Sequence, residues 1–236
     1  MAVALVVIII TIINRVIDGS LNDLYNNDIN NYKRKELAMN FKTAAGLCAF
    51  TLASLTTSTM ALAHPGHGSY SVHESHSFMS GLTHPVTGMD HLIMLIAFGL
   101  LIGALSFSTK IKAALIGGGL ASLVVGLIAG QALGFSVIVE PAIIASLFVV
   151  SLCLWHVFSP STKRVSSVLV ASIAMLFFHG YAHGVEAASN LTQFATGMSI
   201  TALALMVIGT FVGRAVYSKW LSVGVASASA VLLLGV

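Results

Sequence analysis

Residues 112–132 read KAALIGGGLASLVVGLIAGQA, and this stretch decides the fold class. It is 21 residues long, and Lys112 is its only charged residue. A helix needs about 20 predominantly apolar residues to cross a bilayer, and inside the bilayer it satisfies its backbone hydrogen bonds without help from water. The stretch therefore predicts a transmembrane helix.

Five further apolar stretches of spanning length lie around it, at 88–107, 136–158, 166–187, 194–214 and 219–236. Short polar or glycine-containing turns separate each stretch from the next. We predict an all-α fold, namely a polytopic membrane helix bundle of about six transmembrane helices that follows a signal peptide.

The composition excludes several other classes of protein. The chain is 57% hydrophobic and 8% charged, with a mean hydropathy of +0.95, whereas soluble domains contain about 25% charged residues. This apolar content also argues against disorder. Two cysteines cannot form a disulfide framework, and a net charge of +3 without a basic stripe offers no surface for nucleic acid. Histidine is the unusual residue, with nine copies against eight carboxylates.

The first 63 residues contain a pattern typical of a secretory signal. A short positive region after Met39 is followed by the apolar residues 44–55 and by an Ala-Leu-Ala sequence at 61–63. We expect residues 39–63 to be a cleaved signal peptide and residues 1–38 to be an extension of the gene model upstream of the true start. A membrane anchor followed by a linker is the alternative for the extension.

The distribution of positive charge predicts the orientation in the membrane. All six Lys and Arg residues after position 63 lie in, or at the edges of, the loops that follow the first, third and fifth spans. By the positive-inside rule these loops are cytoplasmic. The mature N-terminus is then periplasmic, which agrees with export by a signal peptide. The sequence therefore predicts a membrane protein whose mature N-terminus lies on the exported side.

A histidine-rich segment, residues 64–83, precedes the region of the spans, residues 84–236. The segment has no apolar period, so we expect it to be flexible and periplasmic. Within it, His64 and His67 are candidates for loose capture of a metal ion. A solvated tail without a function is the alternative.

Eight His, Asp and Glu residues lie within the predicted spans or at their ends, where a charged group costs at least ~2.5–3.5 kcal/mol and so needs a partner or a function. They are His84, Asp90, His91, Glu140, His156, His179, His183 and Glu186. In the predicted topology all of them except His156 lie in the periplasmic third of the bundle. His156 stands beside Trp155 and is either an interfacial packing residue or an exit ligand.

The spacing of these residues predicts a metal site. His179, His183 and Glu186 are spaced i, i+4 and i+7, so they share one helix face. Imidazoles and carboxylates facing each other suit a borderline divalent cation such as Ni²⁺, Co²⁺ or Zn²⁺. The candidate ligands are His84, Asp90, His91, His179, His183 and Glu186, with Glu140 as an auxiliary ligand. A hydrogen-bonded cluster that joins two helices and a proton relay are the alternatives.

Three pairs of glycines, each four residues apart, predict close helix packing. Small residues at this spacing let two helix backbones approach each other within a membrane. The pairs are Gly99 and Gly103, Gly126 and Gly130, and Gly209 and Gly213. The alternative is that glycine is simply frequent in membrane helices.

Two motifs resemble those of a known family. They are HPVTGMDHLIMLIAFG at 84–99 and FFHGYAHGVEA at 177–187, and an HPGHG sequence stands at 64–68. Together they are similar to the signature motifs of the HupE/UreJ family, small bacterial membrane proteins regarded as nickel or cobalt permeases that are associated with hydrogenase and urease maturation. The resemblance covers residues 64–236, and the extension 1–38 departs from the family pattern.

The resemblance implies uptake of Ni²⁺ or Co²⁺ from the periplasm, which would supply the assembly of hydrogenase, urease or cobalamin metallocentres. The expected partners are a divalent metal ion and the lipid bilayer, with no permanently bound cofactor and no enzymatic activity. Whether copies associate as a homo-oligomer is left open. An intramembrane zinc-dependent hydrolase with the same His/Asp cluster is the alternative function, and a metal sensor without flux is a third.

Overall fold

The computed structural model describes residues 78–157, 163–186, 191–216 and 220–235. Within these ranges the chain forms seven helices and no strand. The expected extension, the signal peptide and the preceding histidines His64 and His67 lie outside the described residues.

The helices follow one another with short connections. They are α1 (Phe78–Thr87), α2 (Met89–Ala104), α3 (Thr109–Leu133), α4 (Val139–Val157), α5 (Lys163–Glu186), α6 (Leu191–Ala215) and α7 (Trp220–Gly235). Together with their apolar composition, this arrangement confirms the prediction of an all-α polytopic membrane bundle.

All six predicted apolar stretches form helices, although they differ in length. Four helices, α3 to α6, are long and apolar enough to cross a membrane, and the bent pair of α1 and α2 has the combined length and apolarity of one further, broken span. The last stretch becomes α7, which has 16 residues. Its length is therefore about 24 Å, which is less than the roughly 30 Å of a hydrocarbon core.

Residues 78–83, which we expected to belong to a flexible segment, instead form the first part of α1. The helix has only 10 residues, and it is stabilised by packing on α6. Gly81 of α1 and Gly197 of α6 have no room for a Cβ, because the backbone of the other helix occupies that space. The hydroxyl of Thr201 also donates a hydrogen bond to the carbonyl of Leu82, at 2.7 Å. The packing partner is distant in sequence, so local periodicity does not predict this helix.

The chain bends by 78° between α1 and α2, and Gly88 is the residue at the bend. Its N–H donates to the carbonyl of His84, and its own carbonyl accepts from the N–H of Leu92, each at 2.9 Å. Gly88 thus takes part in the last hydrogen bond of α1 and in the first of α2. A Cβ at position 88 would lie 2.9 Å from Nδ1 of His91 and 3.3 Å from Oδ1 of Asp90. Glycine therefore leaves room for these two side chains.

Two pairs of parallel helices, α2 with α6 and α3 with α5, make the closest contacts of the bundle. In each pair, carbonyl oxygens of one helix lie where a Cβ would stand on a glycine of the other. The glycines at these crossings are Gly99, Gly103, Gly126, Gly130, Gly209 and Gly213, together with Gly180 and Gly184 on α5. The first six are the predicted packing glycines. Gly180 and Gly184 were not predicted, because the last two turns of α5 were interpreted only as a source of metal ligands.

Buried polar side chains also link the helices. The hydroxyl of Ser122 on α3 donates to the carbonyl of Ile173 on α5, at 2.7 Å. Lys112, which we placed at the edge of a loop, is only 9% exposed, and its Nζ donates to the carbonyl of Gly103, at 3.0 Å. This carbonyl belongs to the last turn of α2, where no further turn of helix supplies a donor. Lys112 therefore closes the end of α2 instead of extending into solvent.

We predict that Gly126→Ala destabilises the protein and that Gly117→Ala does not. A Cβ at position 126 would collide with the carbonyl of Phe177 and push α3 and α5 apart, whereas no atom lies within 4 Å of a Cβ at position 117 on the same helix. Overpacking of this kind costs roughly 1–3 kcal/mol. Thermal unfolding of the two variants in detergent measures the difference. Equal midpoints would show that the glycine crossing does not hold these helices together.

Candidate metal centre

Three histidines from three helices meet at one end of the bundle. His84 lies in the last turn of α1, His91 in the first turn of α2 and His183 in the last turn of α5. The bend at Gly88 brings the end of α1 beside the start of α2. The glycine crossing of α5 on α3 holds the third helix at the same level, where Tyr181 of α5 donates to the carbonyl of Gly134 that ends α3, at 2.9 Å.

The ring nitrogens of these three histidines converge. One ligand atom from each of His84, His91 and His183 lies within 4.8 Å of the other two. Nε2 of His91 and Nε2 of His183 are 2.6 Å apart, and the ring centroids of His84 and His183 are 4.2 Å apart. We call this group the histidine triad. Among the described residues it is the group of His, Cys, Asp and Glu side chains whose geometry suits a metal ion.

Asp90 contacts the triad through His91. Its Oδ1 lies 2.8 Å from Nδ1 of His91. Since an ionised carboxylate can only accept a hydrogen bond, Nδ1 of His91 is the protonated nitrogen, and Nε2 faces the triad with its lone pair. Carboxylates paired with metal-binding histidines in this way fix the tautomer and the ring orientation. Asp90, a predicted ligand, thus stands behind His91, in a position to orient its ring.

His179 lies next to the triad but outside it. Its ring centroid is 5.1 Å from that of His91, and the two planes are nearly perpendicular. Nδ1 of His179 lies 3.3 Å from the carbonyl of Met175 and therefore donates to it. The Nε2 atom is buried and has no hydrogen-bond partner among the residues that the structure describes.

The other predicted site residues do not join this group. Glu140 is exposed in the first turn of α4. His156 lies near the opposite end of α4, where its Nδ1 bonds the carbonyl of Leu152 at 2.8 Å. Glu186 is the last residue of α5, and its side chain lies outside the described part of the chain. His64 and His67 also precede the described residues.

Phe194 encloses the triad, and sequence reasoning missed it. Its ring lies 6.0 Å from that of His84 and 5.9 Å from that of His183, measured between centroids. Phe194 is 3% exposed, and it belongs to the first turn of α6. A single phenylalanine in an apolar stretch carries no signal of such a role. The role follows only from the packing of α1 on α6.

The triad fits a divalent transition metal with modest side-chain movement. Imidazole nitrogens bind such ions at about 2.0–2.1 Å, so two neighbouring ligands of the same ion are roughly 2.8–3.4 Å apart in octahedral or tetrahedral geometry. The 2.6 Å between Nε2 of His91 and Nε2 of His183 must therefore open slightly.

The fold and the histidine triad define a polytopic helical membrane protein with a buried cluster of imidazoles. The chain belongs to the HupE / UreJ protein family, whose sequence model matches residues 52–236. It is similar to the protein HupE of Rhizobium leguminosarum bv. viciae, with 29% identity over an alignment of 169 residues; the match covers 67% of this chain and 78% of that protein. No solved structure matches this chain.

We predict that His91→Ala and His183→Ala each weaken binding of Ni²⁺ or Co²⁺ to the purified protein by at least about 100-fold. This exceeds the roughly 10- to 100-fold effect of removing an outer-shell partner, because each variant removes a nitrogen that faces the metal position. His156→Ala is the matched control, since His156 lies in the last turn of α4 and does not belong to the histidine triad. Titration calorimetry in detergent measures affinity. Binding equal to that of the wild type in either variant would exclude that residue as a ligand.

Asp90→Asn should weaken metal binding by about 10- to 100-fold while leaving the stoichiometry unchanged. The asparagine keeps the shape of the side chain, but it removes the charge that holds Nδ1–H of His91, at 2.8 Å in the wild type. The same titration tests this variant, and its loss should be smaller than that of His91→Ala. A loss as large as that of His91→Ala would instead indicate that Asp90 binds the ion directly.

Proposed function

We propose that this protein imports Ni²⁺ or Co²⁺ from the periplasm across the bacterial inner membrane, and that it supplies metal for hydrogenase, urease or cobalamin assembly. The observation that carries the proposal is the histidine triad, in which three imidazoles converge among helices of a membrane bundle. Ionisable groups at such a depth need a function that outweighs their cost. Membership of the HupE / UreJ family supports the same conclusion.

The charge distribution supports uptake from the periplasmic side. The triad lies where α2 begins and α5 ends, whereas Lys110 and Arg214 are exposed at the opposite end, where α3 begins and α6 ends. Under the positive-inside rule the end with Lys110 and Arg214 faces the cytoplasm. A divalent ion would then enter at the triad and leave at the positively charged end.

The chemistry of the ligands suits transport of an ion more than permanent binding. Neutral imidazoles hold Ni²⁺ and Co²⁺ well enough to replace water, and they release the ion more readily than a closed thiolate site. The membrane potential supplies the driving force, since a divalent cation moving inward gains about 4.6 kcal/mol per 100 mV. That energy corresponds to an accumulation of more than about a thousandfold.

Transport also accounts for the burial of the site better than hydrolysis does. A catalytic zinc keeps an open coordination position and needs a cleft for its substrate. Here His91 and His183 are 6% and 3% exposed, and Phe194 packs against the rings. A bare ion can enter such an enclosed group of ligands, whereas a lipid or a peptide needs a much wider opening.

Uptake of radioactive ⁶³Ni²⁺ and ⁵⁷Co²⁺ into cells tests the proposed function. We expect wild-type protein to raise uptake and His183→Ala to abolish it, because the triad nitrogens replace the hydration shell of the ion. His156→Ala, with equal amounts of protein in the membrane, should transport like the wild type. Competition between the two isotopes identifies the preferred metal. Binding of metal without any uptake by the wild type would favour a sensor over a permease.

A further inference from the structure

The four histidines near Asp90 do not form one coordination shell. Nitrogens of His84, His91 and His183 lie within 4.8 Å of one another, but His179 is not in that group. Its ring contacts that of His91, with centroids 5.1 Å apart. His91 is therefore the imidazole whose ring lies close to those of His84 and His183 and also to that of His179.

His179 also lies deeper in the bundle than His183. Both residues are on α5, which ends at Glu186 beside the triad. The four residues between them correspond to about 6 Å along the helix axis. An ion that moved from the triad toward the other end of the bundle would therefore pass the level of His179 next.

Nε2 of His179 is available to bind a metal ion. Its Nδ1–H is used by the carbonyl of Met175, so Nε2 carries the lone pair. The residue is 1% exposed, and Nε2 has no hydrogen-bond partner among the described residues. A buried acceptor without a partner has lost its hydrogen bonds to water without replacement, which destabilises the folded protein. A side chain that served only to pack two helices would avoid this cost by being apolar.

We propose that His179 and His91 form a second, deeper metal position, to which the ion moves from the histidine triad. Nε2 of His91 belongs to both positions, so the ion keeps one ligand while His84 and His183 release it and Nε2 of His179 binds it. Asp90 remains bonded to Nδ1 of His91 and orients this shared ligand in both positions. This inference rests on the proposed transport function, because it describes a step of that transport.

The test separates binding at the triad from onward movement. Full-length protein is purified in detergent for titration with Ni²⁺ alone, and it is reconstituted into liposomes with an inside-negative potential for uptake of ⁶³Ni²⁺. We expect His179→Gln to bind one Ni²⁺ with a Kd within about threefold of the wild type, well inside the roughly 10- to 100-fold loss caused by disturbing a ligand shell. Its initial uptake should fall at least about tenfold, since a ligand used only during movement affects rate and not ground-state binding.

Two further variants serve as controls for this result. His183→Ala should lose both binding and uptake, because it removes a triad ligand. Ser172→Ala should lose neither, since Ser172 lies on the same face of α5 two turns deeper, and its hydroxyl bonds the carbonyl of Val168 within its own helix. If His179→Gln does not fold, His179→Phe keeps a ring of similar size without a nitrogen and is measured in the same two ways.

Two outcomes would overturn the inference. If the His179 variants weaken binding as much as His183→Ala, His179 is a ligand of the triad position itself. If they take up Ni²⁺ at the wild-type rate, His179 is not on the path of the ion. Failure of the proposed function is a different result, because wild-type protein would then bind Ni²⁺ in detergent and still show no uptake into liposomes.

Discussion

The bundle depends on the direct contact of helix backbones at glycines. In the pairs α2 with α6 and α3 with α5, the carbonyls of one helix take the space that a Cβ would fill on the other. Such contacts replace the hydrophobic driving force that helices lack when lipid surrounds them. Because α3 holds α5, and α6 holds both α1 and α2, the same contacts set where His84, His91 and His183 stand. The positions of these three histidines therefore depend on the glycine contacts between the helices.

Burial of the histidines follows from the same arrangement. The rings are enclosed by neighbouring helices and by Phe194, so water cannot compete freely for their nitrogens. Each polar atom in such a place requires a partner, and the described contacts supply several of them. Asp90 bonds Nδ1 of His91, and the Met175 carbonyl bonds Nδ1 of His179. In both rings the bonded nitrogen is the one that faces away from the proposed positions of the ion.

Much of this could be predicted from the sequence, and the limits have physical causes. Length and apolarity predicted helices such as α3, and i, i+4 spacing placed His179 and His183 on one face of α5. Spacing could not show that Asp90 lies behind His91 or that His179 stands apart from the triad, because both depend on how α1, α2 and α5 meet. The short helix α1 was missed for the same reason, since it is stabilised by α6.

The bend between α1 and α2 at Gly88 has an electrostatic consequence. Because α2 begins there, the partial positive charge of a helix N-terminus points at the bound cation, which it would repel. Asp90, in the first turn of α2, offsets this charge. On the other side α5 ends beside His183, so the partial negative charge of a helix C-terminus attracts the cation. The cation would thus rest among three helix ends, namely the N-terminus of α2 and the C-termini of α1 and α5, with one carboxylate that adds to the negative charge around it.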